Sequence, residues 1–173
     1  MIRTALLAIL LLAFTAIAGE GEQSIHVDLD EIVAAGKVAP VDGITSSGQP
    51  DATSLKVFAD SGYAVVIDMR GPDEDRGMDN FAAAVEANGM EYVPFPVVGK
   101  DAISYETAAE LDELLLGIDA PVLMHCGSGN RVGAVLALRE SLAGASDDEA
   151  LAYGKDAGMT RLEPLVREVL EDK

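Results

Sequence analysis

The sequence has 173 residues, with 12 basic and 30 acidic side chains, so its formal net charge is −18. A surface this acidic repels nucleic acid and anionic lipid, and a nucleic-acid partner is therefore not expected. Apolar residues make up 49 % of the chain, which excludes a disordered protein, and the length fits one domain with its own core. Any site for an anionic substrate would need strong local positive potential.

The first eighteen residues have the features of a secretory signal. Arg3 supplies a positive charge, residues 5–18 are apolar apart from Thr15, and Ala16-Ile17-Ala18 offers a small-residue cleavage pattern. The apolar run is shorter than the roughly 20 residues that cross a bilayer as a helix. We expect residues 1–18 to be a signal peptide and the mature protein to be periplasmic or secreted, without stable membrane insertion after cleavage. An uncleaved anchor is the alternative.

The remaining chain is interpreted as an acidic lead-in, residues 19–39, followed by one domain, residues 40–173. A short helix is predicted in the lead-in near residues 28–35. Apolar, β-branched runs predict strands at residues 43–50 (running into a loop), 63–68, 91–95 and 121–125. Helical spacing predicts helices at residues 52–60 and 81–87, after Ser104, at 132–142, from the Ser146 capping box, and at 165–170. This alternation predicts an α/β fold with a single, mostly parallel sheet flanked by helices.

The chain has one cysteine, Cys126. Exported proteins usually pair their cysteines, because their compartment oxidises thiols, so a lone thiol is a liability unless it is buried or reactive. The predicted strand 121–125 delivers Cys126 to the carboxyl edge of the sheet, where α/β proteins bind ligands. A glycine-rich turn then leads directly into a buried helix.

That turn, Gly127-Ser128-Gly129-Asn130-Arg131, is predicted to bind an oxyanion. Its backbone N–H groups can converge above the sulfur, and the positive end of the following helix dipole points to the same place. Arg131 adds a positively charged guanidinium that can bind two oxygens of an oxyanion. All three stabilise a thiolate, so we expect a lowered pKa for Cys126 and a nucleophile at neutral pH. An inert cysteine before a glycine-rich helix start is the alternative.

The segment resembles the signature loop of cysteine-dependent phosphatases, in which a His-Cys pair precedes an arginine. Here His125 and Cys126 are followed by Arg131 after four intervening residues. Upstream, residues 47–50 (Ser-Gly-Gln-Pro) and residues 62–70 are similar to the opening of dual-specificity phosphatase-like domains.

Glu74 also fits this upstream similarity. Together with the cysteine loop, the similar segments cover about residues 40–160 and resemble the bacterial family called beta-lactamase hydrolase-like protein, phosphatase-like. The resemblance implies a dual-specificity-type phosphatase fold. It also implies that Cys126 attacks a phosphoryl group held by the loop amides and Arg131.

Two departures from the phosphatase pattern keep other functions open. The loop is one residue shorter than is usual, and Val132 stands where a serine or threonine normally helps the cysteine leave. Rhodanese-type sulfurtransferases resemble this loop in length and would carry a persulfide on Cys126. A catalytically silent domain that binds an oxyanion or a phosphoprotein is the third reading. The expected partner is thus a phosphorylated or sulfur-containing small molecule, or a phosphoprotein.

A phosphatase also needs a general acid for the leaving oxygen. The resemblance implies that it lies on the loop after strand 91–95, where Asp101 is the best-placed acid and Glu106 a weaker candidate. An ordinary loop or helix-capping aspartate is the alternative for Asp101.

Other polar residues are expected to support the site. His125 is expected on the opposite face of its strand, orienting the loop. Asp68, Arg70 and Glu74 either support the site or form a plain surface ion pair, and the structural interpretation is favoured. The two histidines, His26 and His125, show no zinc-ligand spacing with the single cysteine, so no metal and no cofactor are expected.

Overall fold

The computed structural model describes residues 23–41 and 43–172, so the predicted signal peptide lies outside the described residues. Within these ranges five strands form one sheet: β1 (Gln23–His26), β2 (Gly43–Ser47), β3 (Val65–Asp68), β4 (Glu91–Pro94) and β5 (Val122–His125). Their order is β1-β2-β5-β3-β4, and every neighbouring pair is parallel. The predicted parallel α/β sheet is confirmed, with β5 at its centre.

Seven helices occur in the same ranges: α1 (Leu29–Ala35), α2 (Ala52–Asp60), α3 (Phe81–Ala87), α4 (Tyr105–Leu115), α5 (Asn130–Leu142), α6 (Asp147–Asp156) and α7 (Glu163–Glu171). The predicted caps are confirmed, because Ser104 accepts the Thr107 N–H and Ser146 forms a capping box with Glu149. None of the helices described is long and apolar enough to cross a bilayer.

The side chains of the central strands alternate between two hydrophobic clusters. Val122 and Met124 of β5 pack on the side of α4 to α7, whereas Leu123 packs on the side of α1 to α3. Helix α5 is buried over most of its length, as its uniformly apolar sequence predicts. Strands that are covered on both faces of a sheet have continuous apolar sequences. The positions of the central strands could therefore be predicted from the sequence.

Strand β1 lies in the segment interpreted from the sequence as a lead-in. It pairs with β2 from Gln23 opposite Gly43 to His26 opposite Ser46, so the sheet begins before residue 40. An edge strand has only one neighbour and needs few apolar side chains. Ile25 is the only large aliphatic residue of this strand, and hydropathy therefore did not predict it.

Candidate active site

The loop from Cys126 to Arg131 joins the central strand to the most buried helix. Strand β5 ends at His125, and α5 begins at Asn130 with Gly129 as its N-cap at φ 77°. A backbone bridge joins Ser128 to Gly48, so the loop also packs against the end of β2. Cys126 is a free thiol and only 1 % exposed. The predicted order of strand, cysteine, glycine-rich turn and helix is confirmed, and it places the sulfur near the positive end of the α5 dipole.

Arg131 is fixed by a two-point ion pair with Glu74. Its Nη1 lies 2.6 Å from Glu74 Oε1 and its Nη2 lies 2.7 Å from Oε2. Nη1 also donates to the carbonyl oxygens of Met69, at 3.2 Å, and Val97, at 3.1 Å. The hydrogen bond with Glu74 raises the pKa of Arg131, and its interaction with Cys126 raises it further against the opposing effect of burial. The guanidinium therefore lies beside the sulfur, as the resemblance implies.

Glu74 is the common acceptor for this side of the site. It accepts from Arg131, from Arg70 Nε at 3.2 Å and from the Gly71 N–H at 2.8 Å. These contacts, the Arg131 hydrogen bond above all, lower the pKa of Glu74 to about 2. Arg70 in turn donates to Gln49 at 3.0 Å, which ties the Ser-Gly-Gln-Pro segment to the same network. Glu74 thus accepts hydrogen bonds from three neighbouring groups, and its main partner is Arg131.

A second network centres on Asp68, whose carboxylate is fully buried at the end of β3. It accepts from the Arg70 N–H at 2.8 Å, from Arg76 Nε at 2.6 Å and from the Tyr92 hydroxyl at 2.9 Å. Arg76 also donates to the Glu74 and Arg70 carbonyl oxygens. The sequence did not single out Arg76, because it is one of many charges in an irregular loop.

His125 lies on the opposite face of β5 from Cys126, as predicted. Its ring packs 4.9 Å from that of Phe81, and its Nε2 lies 3.5 Å from Asp68 Oδ1. Its Nδ1 is 3.4 Å from the Cys126 carbonyl oxygen, a long contact that links it to the loop. Burial lowers the pKa of His125 to about 4, only partly offset by Asp68. The ring is therefore neutral at pH 7.

Two other predicted site residues lie in different environments. Asp101 is exposed in the turn between β4 and α4, and in the described ranges no side chain bonds to it; its role as the acid stays a prediction. The Asn130 side chain turns away from the loop and accepts from the Thr160 and Leu162 N–H groups, at 2.8 and 3.2 Å. These two backbone donors thus occupy the side-chain oxygen of Asn130. No cluster suited to a metal ion occurs among the described residues.

Solved structures with a similar fold include phosphatases and candidate phosphatases. A candidate phosphatase from Neisseria meningitidis aligns with a TM-score of 0.64 at 22 % identity, over 75 % of this chain and 93 % of that chain. Kinase-associated phosphatase, carrying serine in place of its catalytic-site cysteine, aligns with a TM-score of 0.55 at 14 % identity. The alignment covers 75 % of this chain and 84 % of that chain. The fold is therefore that of phosphatase-like α/β proteins.

Residues 24–143 match the family described as "Beta-lactamase hydrolase-like protein, phosphatase-like domain", and the chain belongs to this family. A beta-lactamase hydrolase-like protein from Xylella fastidiosa is 32 % identical over 120 residues. The alignment covers 65 % of this chain and 28 % of that relative, so the chain corresponds to little more than a quarter of its length.

Proposed function

We propose that this protein hydrolyses a phosphomonoester through a phosphocysteine intermediate on Cys126. The observation that carries the proposal is the Glu74–Arg131 pair, which fixes a guanidinium beside the sulfur at the N-terminus of α5. Fixed donors placed where charge develops contribute more to catalysis than mobile ones, because they need no reorganisation during the reaction.

Arg131 keeps a free edge for the phosphoryl group. Arginine has five N–H donors. Glu74 accepts one N–H from Nη1 and one from Nη2. The second N–H of Nη1 faces the Met69 and Val97 carbonyl oxygens. The remaining donors, on Nε and Nη2, have no oxygen acceptor in the described part of the chain. They form the side edge of the guanidinium, whose geometry suits two oxygens of a phosphate.

The proposed reaction has two steps. The Cys126 thiolate attacks phosphorus, an S–P bond forms, and the P–O bond to the alcohol breaks as Asp101 protonates the departing oxygen. Water then attacks phosphorus and gives a proton to Asp101, and the S–P bond breaks to restore the thiolate and release inorganic phosphate. The amides of residues 127–130 and Arg131 stabilise the charge on the phosphoryl oxygens in both steps.

The short loop supports a second candidate, a sulfurtransferase that carries a persulfide on Cys126. A tighter loop suits a sulfane sulfur, and Val132, fully buried beside the loop, offers no hydroxyl to the departing thiolate. This reaction needs no general acid, so the two candidates differ in their dependence on Asp101.

A paired assay separates these functions. The purified protein and its Cys126→Ser variant would be offered an aryl phosphate, and separately thiosulfate with cyanide. Cysteine-dependent phosphate release that falls in Asp101→Asn is the expected result. Cysteine-dependent thiocyanate formation without phosphate release would overturn the proposal in favour of sulfur transfer. Oxyanion binding without either reaction would indicate a silent binding domain.

We also propose that the protein is exported, on the basis of residues 1–18 alone. Expression in a Gram-negative host, followed by fractionation and intact mass, is expected to give a periplasmic product that begins at Gly19. A cytoplasmic product of full mass would contradict export.

A further inference from the structure

Arg70 lies beside the arginine of the cysteine loop. Its Nε donates to Glu74 Oε2 at 3.2 Å, and Arg131 Nη2 donates to the same oxygen at 2.7 Å. The two nitrogens are therefore no more than about 6 Å apart, which is the length of two hydrogen bonds. Arg70 Nη1 donates to Gln49 at 3.0 Å. The Arg70 guanidinium is thus fixed through two of its three nitrogens.

Gln49 links this guanidinium to the cysteine loop from a second side. The residue before it, Gly48, forms a backbone bridge with Ser128. A Cβ atom added to Gly48 would lie 3.5 Å from the Gly127 carbonyl oxygen, so the two segments are in close contact. Arg70 is therefore held by Gln49, which adjoins the start of the loop, and by the carboxylate that binds the arginine at its end.

The third nitrogen of Arg70, Nη2, has no acceptor in the described part of the chain. An arginine has five N–H donors, and Glu74 and Gln49 accept one each. The Arg70 side chain is only 16 % exposed, yet Nη2 is not one of its buried atoms. A ligand can therefore reach the two N–H donors of Nη2. Because the side chain is already fixed, binding an anion there orders little that was mobile.

The positive charge of Arg70 is only partly compensated. Glu74 binds Arg131 at two points, 2.6 and 2.7 Å, and Arg70 at one longer contact of 3.2 Å. Arg131 also faces Cys126, so the thiolate and the transferred phosphoryl group both lie on its side. Arg76, the other arginine of this region, is paired with the buried Asp68 at 2.6 Å. Arg70 is thus the cation that remains for a further anionic group.

Arg70 and Glu74 also line a cavity of about 530 Å³. Because Glu74 binds Arg131 directly, this end of the cavity lies one side chain away from the arginine of the loop. Asp75 and Asp79 contribute to the wall, but both are exposed, so water screens their charges. The cavity has the size of a small-molecule site. Its apolar lining consists of Pro72, Met78, Phe81, Ala82, Tyr92, Pro94 and Pro96.

We propose that Arg70 is a substrate-binding residue whose Nη2 takes a second oxyanion, on the alcohol portion of the phosphomonoester. This inference rests on the proposed function, because Arg131 must hold the phosphoryl group that is transferred. It names the substrate class as phosphomonoesters that carry a further carboxylate or phosphate within a few bonds of the ester oxygen.

The test compares meta- and para-carboxyphenyl phosphate with the carboxamides of the same shape, which carry no second charge. Calorimetric binding to Cys126→Ser, which cannot turn over, would be measured beside hydrolysis of phenyl phosphate by the wild-type protein. We expect the better carboxylate to bind about 10-fold tighter than its carboxamide, as hydrogen bonds between charged groups allow.

Arg70→Gln, made in the Cys126→Ser protein, should remove most of this preference, and Arg70→Lys should keep part of it because the charge remains. The ratio of the two affinities is the readout, since a displaced Glu74 would weaken the carboxylate and the carboxamide equally. Lys56→Gln is the matched control: it removes the same charge from the exposed face of α2, where Lys56 is 67 % exposed. It should keep the full preference.

Equal affinity for carboxylate and carboxamide would overturn the inference, whatever the variants do. An undiminished preference in Arg70→Gln, or an equal loss in Lys56→Gln, would also overturn it. Cysteine-dependent hydrolysis of phenyl phosphate would uphold the proposed function in each of these cases. A preference that depends on Arg70, without hydrolysis of any of the phosphates, would uphold the second oxyanion site and overturn the phosphatase.

Discussion

Glu74 and Arg131 face each other as two planar groups, joined at 2.6 and 2.7 Å across 57 residues of sequence. Glu74 binds the end of the guanidinium formed by Nη1 and Nη2. The side edge, formed by Nε and Nη2, stays beside Cys126. Arg131 is 22 % exposed and Glu74 32 %, so water partly screens the attraction and the gain in folding stability is modest. Its main consequence is a fixed orientation of the cation that binds the substrate.

Glu74→Gln is expected to lower kcat/KM by about 10- to 100-fold, because the guanidinium loses its fixed orientation. The pKa of Glu74, lowered to about 2 by Arg131, keeps the pair ionised throughout the working pH range, so the loss should not depend on pH above about pH 4. Steady-state kinetics and inorganic phosphate binding measure it. Glu110→Gln, on the exposed face of α4, is the control. Activity within twofold of wild type would contradict a positioning role for Glu74.

Val132→Ser restores the hydroxyl that most phosphatases of this type carry after the arginine. It is expected to speed breakdown of the phosphocysteine by about 10-fold, because the hydroxyl stabilises the departing thiolate. Burying the hydroxyl should cost about 1–3 kcal/mol of stability. Pre-steady-state kinetics measure the effect, with Val135→Ser, also fully buried in α5, as a control for the stability loss. Unchanged breakdown in Val132→Ser would contradict a role for a hydroxyl at this position in release of the thiolate.

The sequence predicted the parts of this fold that depend on local pattern. The apolar runs of β3 and β5 are covered on both faces, and the Ser104 and Ser146 caps need only neighbouring residues, so each could be recognised from a short window. The cysteine loop was recognised for the same reason, since its residues are contiguous. Asp101 remains a prediction from resemblance.

The remaining features depend on contacts between distant segments. The partner of Arg131 is 57 residues away, and His26 reaches Ser46 across 20 residues and Gly129 across the sheet. A single sequence with 30 acidic side chains offers many partners for each arginine and no means of choosing among them. Strand β1 was missed for a related reason, because its place in the sheet depends on pairing with β2 and not on its own hydropathy.

Because His125 is buried as a neutral ring, we expect acid to destabilise the fold. Its pKa is about 4 in the folded protein because of burial, against 6.5 for the exposed ring, so the unfolded chain binds the proton first as the pH falls. The free energy of unfolding should therefore decrease between about pH 6.5 and 4, by about 2 kcal/mol at pH 5. Urea unfolding at pH 7 and pH 5 measures this loss. His125→Gln should reduce the difference between the two pH values, and an equal loss in this variant would contradict the assignment to His125.

Gly133→Ala tests the packing that supports α5. Its Cβ would overlap the Gly154 carbonyl oxygen and the Met159 backbone, where α5 and α6 touch. We expect a loss of about 1–3 kcal/mol of stability, because the helices must separate to fit the methyl group. Gly117→Ala is the matched control, since its Cβ would be in ordinary contact with the Leu114 carbonyl oxygen at 3.6 Å. Equal melting temperatures for the two variants would contradict the close approach of α5 and α6.

The most direct test of the account is rapid acid quench of the protein with excess aryl phosphate, followed by intact mass and peptide mapping. A phosphoryl group on Cys126 during turnover, absent in Cys126→Ser and reduced in Arg131→Lys, is the predicted result. Phosphate release with no phosphoryl group on Cys126, or with full activity in Cys126→Ser, would contradict it.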